Sequence, residues 1–205
     1  MLKNFEELSP VAIDCLKEIG NIGSGNAASS LSAMLSKSVR MRVPHIRVLD
    51  YQTAIDEVGG PEQVLTGILV TFKGDIKGMI MFLLDNAFAK IVVNTFMGKD
   101  NIDVLKMDEA DTSAVKEMGN IMAGSYLNAL AALAGFTVAM DVPSMTVDMM
   151  GAIMNAPMTE FSEIGDKVLF INDGFIIDGV DINSNIILIP EMESLDILMK
   201  KLGVN

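Results

Sequence analysis

Lys17-Glu18-Ile19-Gly20-Asn21-Ile22 returns as Lys116-Glu117-Met118-Gly119-Asn120-Ile121, 99 residues later. The same step carries Gly25 to Gly124, Leu31 to Leu130 and Ala33 to Ala132. It then carries Val39, Met41, Val43 and Pro44 to Val138, Met140, Val142 and Pro143. A register held this far marks an internal duplication. Two copies fit a pseudo-twofold domain, because a solenoid needs at least three units. Further on the step grows: Gly78–Gly98 resembles Asn183–Gly203, so the second copy carries insertions between its strands.

The same stretch sets the local structure. Ser9-Pro10 is a helix start, with serine as N-cap and proline in the first turn. Phe5, Leu8, Ala12, Cys15, Leu16 and Ile19 recur at steps of three and four and form one apolar face. Gly20, Gly23 and Gly25 are expected to loosen or break this helix, which resumes over Ala27–Leu35. Asp108–Ala134 is the equivalent helix, ending at Gly135. Val39, Met41 and Val43 alternate with Arg40 and Arg42, a half-buried strand. Val64–Lys73 and Met79–Leu84 read as a hairpin through Gly74-Asp75. Asn86–Met97 is an amphipathic helix closing at Gly98. Val168–Ile177 and Ile186–Ile189 read as strands, and Met192–Leu202 as a last helix. The fold class is α+β: long helices, exposed on one side, packed on an antiparallel or mixed sheet. Lys99–Val104 is too short and too little enriched in proline or serine to be a linker. One domain over 1–205 is expected, from interlocked repeats of about 5–99 and 104–205.

Composition removes whole classes of function. Half of the residues are hydrophobic, which excludes disorder. No apolar run approaches the ~20 residues of a membrane span. The first residues carry no basic start followed by an apolar stretch, so no secretory signal is expected and the cytoplasm is the default compartment. A single cysteine, Cys15, excludes an internal disulfide framework and a multi-cysteine metal site. Net charge is −12, with no basic run. That argues against nucleic acid and against anionic membranes. The one histidine, His45, beside Pro44, is read as structural.

The duplicated polar residues carry the chemistry. Asp14, Glu18 and Asn21 fall within roughly 60° of one another on a helix and away from the apolar face. Ser113, Glu117 and Asn120 repeat the stripe. A solvated helix face is the ordinary reading of such a stripe. Exposed positions drift between copies, however, and asparagine is a weak helix former, so retention of Glu and Asn in both points to function. The Gly20–Gly25 run resembles a phosphate loop in composition only: a helix precedes it, no Gly-Lys-Ser/Thr follows, and Met122 replaces Gly23 in the second copy. Close approach of another backbone or a helix bend explains the glycines better. Met145, Met149, Met150, Met154 and Met158 read equally as core filling or as a pliable contact surface.

The stripe holds no strong nucleophile and no carboxylate cluster for a metal. A carboxamide can hold water in line for attack on a phosphoryl group, and phosphoryl transfer asks mainly for such positioning. A neighbouring glutamate can dock a cation of the molecule that carries the phosphate. Each helix face then forms half of a composite site.

The pattern Asp/Ser-x3-Glu-x2-Asn-x22-Pro is satisfied by Asp14, Glu18, Asn21 and Pro44, and again by Ser113, Glu117, Asn120 and Pro143. It resembles the signature of the CheC/CheX/FliY family of chemotaxis phosphatases, over essentially the whole chain. Length, two intact sites and no added flagellar-switch domain match the family's two-site branch. The resemblance implies a pseudo-symmetric fold with the signature helices side by side. It implies hydrolysis of the aspartyl phosphate of the response regulator CheY. Asn21 and Asn120 would orient water, and Glu18 and Glu117 would pair with the regulator's lysine. Asp14, Ser113, Pro44 and Pro143 would support the motif. Magnesium would come from the regulator, with no cofactor or metal held by this chain. A monomer is expected. The receptor deamidase CheD would bind a short helix after the second strand, over Val147–Asn155, through Asp148, Met149 and Ala152. The alternative is an adaptor without turnover that binds phosphorylated CheY or sequesters CheD.

Overall fold

A computed structural model of the chain describes residues 5–160 and 167–204. The reading of residues 1–4, and the last residue of the second repeat, lie outside the described residues. After a 3-10 turn at Phe5–Glu7, the first repeat runs α1 (Pro10–Leu35), β1 (Val39–Met41), β2 (His45–Asp50), α2 (Tyr51–Glu57), β3 (Val64–Gly74), β4 (Gly78–Leu84) and α3 (Asn86–Met97). The second runs α4 (Glu109–Ala134), β5 (Val138–Met140), β6 (Ser144–Met149), α5 (Met150–Ile153), α6 (Asn155–Glu160), β7 (Lys167–Ile177), β8 (Val180–Pro190) and α7 (Met192–Leu202).

All pairings among the described strands are antiparallel, in one sheet ordered β1-β7-β8-β4-β3-β5. β2 continues β1 along β7, from His45 opposite Asn172 to Asp50 opposite Lys167. β6 continues β5 along β3, from Ser144 opposite Leu69 to Met149 opposite Val64. Each repeat thus lays its first two strands on the hairpin of the other. β4 and β8 meet at the centre, Gly78 opposite Pro190 and Leu84 opposite Ser184. The α+β fold of two repeated halves is therefore a strand exchange within one sheet, and neither half can close its own sheet edge.

The two long helices, each about 39 Å at 1.5 Å per residue, lie on one face of this sheet. Ser9 caps α1 by accepting from the Ala12 N–H at 3.1 Å, with Pro10 in the first turn. Asp108 and Asp111 form a capping box at the start of α4, and Lys99 bridges both carboxylates at 2.6 and 2.7 Å. Gly135 ends α4 with φ 66°. Leu16, Ile19, Leu31, Val115, Met118 and Leu130 enter the main core with Ile80, Phe82, Leu84 and Phe88. A smaller core on the opposite face gathers Met79, Met81 and Leu83 under Ala54, Met150 and Ile153 of α2 and α5. β4 is buried on both faces. Among the described residues no helix is long and apolar enough to cross a membrane.

Several expectations change. α1 is not interrupted: it runs through Gly20, Gly23 and Gly25. The first two glycines allow close packing against side chains rather than backbone. A Cβ at Gly20 would lie 2.2 Å from Ile46 Cδ1, and one at Gly23 2.5 Å from the Tyr126 ring. β1 stops at Met41, and Val43, expected to be half buried, is exposed. His45–Asp50 is a full strand and Tyr51–Glu57 a helix, both unread in the sequence. β8 begins at Val180, not Ile186. Val147–Asn155 is not one short helix: Val147–Met149 end β6, and the helix is Met150–Ile153. The methionine cluster divides. Met150 and Met154 are buried, and Met149 and Met158 are exposed.

Candidate functional site

Burial on α1 alternates as the periodicity requires. Leu16, Ile19, Gly20 and Gly23 face the interior, and Asp14, Glu18 and Asn21 face outward. On α4, Met118, Gly119 and Met122 are buried, Ser113 and Glu117 are exposed, and Asn120 is half buried. The carboxylate and carboxamide of each pair sit one turn apart on the open side of their helix.

Each stripe borders a cleft at one edge of the sheet, the second with all three of its residues and the first through Asn21, with Asp14 and Glu18 outside the lining. In the first, of about 620 Å³, Lys17 and Asn21 of α1 face the β1–β2 turn, Val43 and Pro44, with His45 and Arg47 beyond. In the second, of about 390 Å³, Ser113, Lys116, Glu117 and Asn120 of α4 face Val142 and Pro143 of the β5–β6 turn. The motif proline, remote in sequence, thus stands across a cleft from the motif asparagine in both halves. Backbone bonds fix each turn. The Arg42 N–H donates to Gly174 O at 2.8 Å, and the Asp141 N–H to Thr71 O at 2.9 Å. Both prolines are buried.

The walls differ. Asp14 accepts from Lys17 Nζ at 2.9 Å. Arg47 makes a two-pronged pair with Glu57 at 2.9 and 2.7 Å, and Arg42 pairs with Asp181. The guanidinium of Arg47 holds the Glu57 carboxyl below its usual range. In the second site Asp141 accepts from Lys73 at 2.8 Å and Thr71 at 2.9 Å, and these bonds lower its pKa. His45 is exposed in the first cleft rather than buried in the frame, and its repeat counterpart is Ser144. It cannot belong to chemistry common to both sites. Lys17, Lys116, Val43 and Val142 line the clefts without having been singled out. Their signal was present, since both pairs obey the 99-residue step. Among the described residues no three His, Cys, Asp or Glu side chains gather as a metal site would need.

Asp148, Met149 and Ala152 are exposed together where β6 passes into α5. Asp148 lies five positions beyond Pro143, about 17 Å along a strand, so this corner is apart from the second cleft. Asp148 Oδ1 accepts from the Met149 N–H at 2.7 Å.

Fold and clefts define a pseudo-twofold α+β protein with two like surface sites, each built from a long helix and an edge-strand turn. Its profile in sequence is that of the CheC-like family, which matches residues 11–47 and 111–147, the two helix-to-strand segments just described. The chain is 30% identical over 206 residues to the CheY-P phosphatase CheC of Bacillus subtilis, covering 98% of each protein. The chain belongs to the CheC-like family. The crystal structure of Thermotoga maritima FliY is similar in fold, with TM-score 0.74 and 24% identity over 96% of this chain and 98% of that one. CheX of Desulfovibrio desulfuricans superposes with TM-score 0.54 at 19% identity, over 84% of this chain and 99% of that one.

Proposed function

We propose that this chain is a phosphatase that hydrolyses the aspartyl phosphate of a phosphorylated CheY-type receiver domain, at two composite sites. The observation that carries the reading is the outward Glu–Asn pair, present in both halves, with the asparagine each time lining a cleft closed by the motif proline. Homology over nearly the full length to a CheY-P phosphatase supports it.

In this reading Glu18 or Glu117 accepts a hydrogen bond from a lysine ammonium of the receiver and sets the docking register. The carboxamide of Asn21 or Asn120 holds a water in line with the phosphorus. The water oxygen forms a bond to phosphorus as the bond to the aspartyl oxygen breaks. The aspartate leaves as carboxylate, and inorganic phosphate carries away the water's protons. Magnesium held by the receiver, and not by this chain, would supply the neutralisation of phosphoryl charge. Asp14 restrains Lys17, and Ser113 stands in its place in the second site. Fast, weak association suits such a transient partner. The exposed corner of Asp148, Met149 and Ala152 is proposed as the contact for the deamidase CheD.

The test is a phosphate-release time course with substoichiometric protein and excess phosphorylated receiver. Turnover is expected in the wild type. Asn21→Ala combined with Asn120→Ala should lose at least about 100-fold of the acceleration, the scale of removing one positioned polar group, with the thermal transition unchanged. Full activity in that variant overturns the mechanism. Slowed loss of phosphate with wild-type protein identifies an adaptor instead.

A further inference from the structure

Val43 and Val142 are the most exposed large hydrophobic residues among those described, at 77% and 84% of their surface. They are repeat counterparts, and each lines a cleft opposite its asparagine. The core does not need them. The turns around them are nevertheless rigid. The residue before each valine is tied to the sheet through its N–H, at 2.8 and 2.9 Å. The residue after each is a buried proline, and a residue before proline is confined to extended backbone. A β-branched side chain in such a setting has few rotamers left to lose on binding. Neighbouring positions have diverged: Arg40 against Ala139, Arg42 against Asp141, His45 against Ser144. The valine has not.

We propose that Val43 and Val142 are the apolar docking contacts for the phosphorylated receiver domain, each covering apolar surface beside the phosphoaspartate. This rests on the phosphatase reading. The receiver is the occupant because each valine shares a wall with the site that must meet it. A second copy of this chain is a poorer occupant. The valines lie at opposite edges of the sheet, five strand spacings or roughly 24 Å apart, so one self-contact would leave the other exposed.

The experiment measures affinity for a receiver domain activated with beryllofluoride, which cannot be hydrolysed, alongside steady-state phosphate release. Val43→Ser with Val142→Ser should raise both Kd and KM about tenfold, the scale of one buried valine side chain. The same variant should keep kcat within about twofold, as expected when a contact is made equally in ground and transition states. Val43→Leu with Val142→Leu should keep wild-type affinity. Unchanged Kd and KM in the serine variant overturn the proposal and leave the phosphatase reading intact. So does loss of self-association without loss of receiver binding. Wild-type protein that binds the activated receiver but releases no phosphate removes the catalytic reading, and the valines are then judged on Kd alone. Wild-type protein that does not bind removes both.

Discussion

The two clefts share four residue types at matching positions, lysine and asparagine on the helix and valine and proline on the turn, while the motif glutamate lines only the second. Nearly everything around them differs. The first is larger and edged by His45, Arg47, Glu57 and Asn172, and the second by Ser113, Met140 and Asp141. The differences are balanced locally. Arg42 faces Asp181, Arg47 faces Glu57, and Asp141 faces Lys73. Such exposed pairs add little stability, but they keep either rim from presenting one sign of charge. The comparison teaches that duplication preserved the groups that would touch a phosphoryl centre, while the walls were free to change as long as charge was matched.

The largest expected effect separates the sites. Asn21→Ala alone should leave the second site's share of turnover and Asn120→Ala the first's, so that the two residual rates add to the wild-type rate when the sites are independent. The measurement is initial phosphate release at saturating receiver. Single variants that each lose about 100-fold would show that the sites act as a unit, and the comparison of two separate clefts would break. Glu18→Lys and Glu117→Lys sharpen it further. Each should raise KM through its own site, because a lysine there repels the cation that the glutamate is proposed to meet.

The second comparison lies under the helices. Ser24, Tyr126 and Asp173 form a buried chain on one side of the pseudo-twofold. The Ser24 and Tyr126 hydroxyls bond to each other, and Tyr126 donates to Asp173 Oδ2 at 2.7 Å. The positions related by the repeat are Ala123, Ala27 and Val70, all buried. One fold position therefore accepts either a satisfied polar chain or an apolar filling. Tyr126→Phe leaves the carboxylate short of a donor and should cost about 1–3 kcal/mol. Replacing all three residues by Ala, Phe and Val should recover most of that loss. Burial already raises the Asp173 pKa, against hydrogen bonds that lower it. A carboxyl raised in the folded state favours folding below its unfolded pKa, and the benefit is lost as pH rises through the folded value. Removing the tyrosine donor raises it further, so the Tyr126→Phe penalty should grow as pH rises through the wild-type folded value and above it. Denaturant titrations across that range check it, and a penalty independent of pH would count against the chain as described.

Much of this was legible in the sequence, for identifiable reasons. Helix ends carried their own signals, Ser9-Pro10, Gly98 and Gly135, and the structure places each as read. The outward Glu–Asn stripes followed from helical spacing alone. What pairing decides was not legible. Asn183, Ser184 and Asn185 are poor strand formers, yet they lie in β8 because β4 and β7 pair on both sides, with the Asn172 side chain donating to Asn185 at 2.7 Å. Strand preference yields to such context. The same exchange of strands makes β2 from His45–Asp50, whose polar residues masked its alternation. Val43 failed for the opposite reason: its pattern was that of a strand, but Pro44 ends the pairing.

The glycines offer a smaller, signed difference between the halves. Gly20 and Gly119 are counterparts, and alanine at either gains about 1 kcal/mol of helix preference. At Gly20 the close neighbour is the terminal Cδ1 of Ile46, which can swing away. At Gly119 the neighbours are Cγ2 and Cδ1 of Ile68 at 2.6 and 2.7 Å, with Cβ at 3.3 Å. Cγ2 and Cβ are fixed by the first torsion of a β-branched residue. Gly119→Ala should therefore destabilise by about 1–2 kcal/mol net of the helix gain, and Gly20→Ala should come out near zero. Gly25, with open space where its Cβ would stand, is the control, and alanine there should stabilise by about 0.5–1 kcal/mol. Chemical denaturation of the three variants orders them. Equal losses at Gly20 and Gly119 would mean that the helices rest on the sheet through the backbone rather than through the particular isoleucine that each one meets.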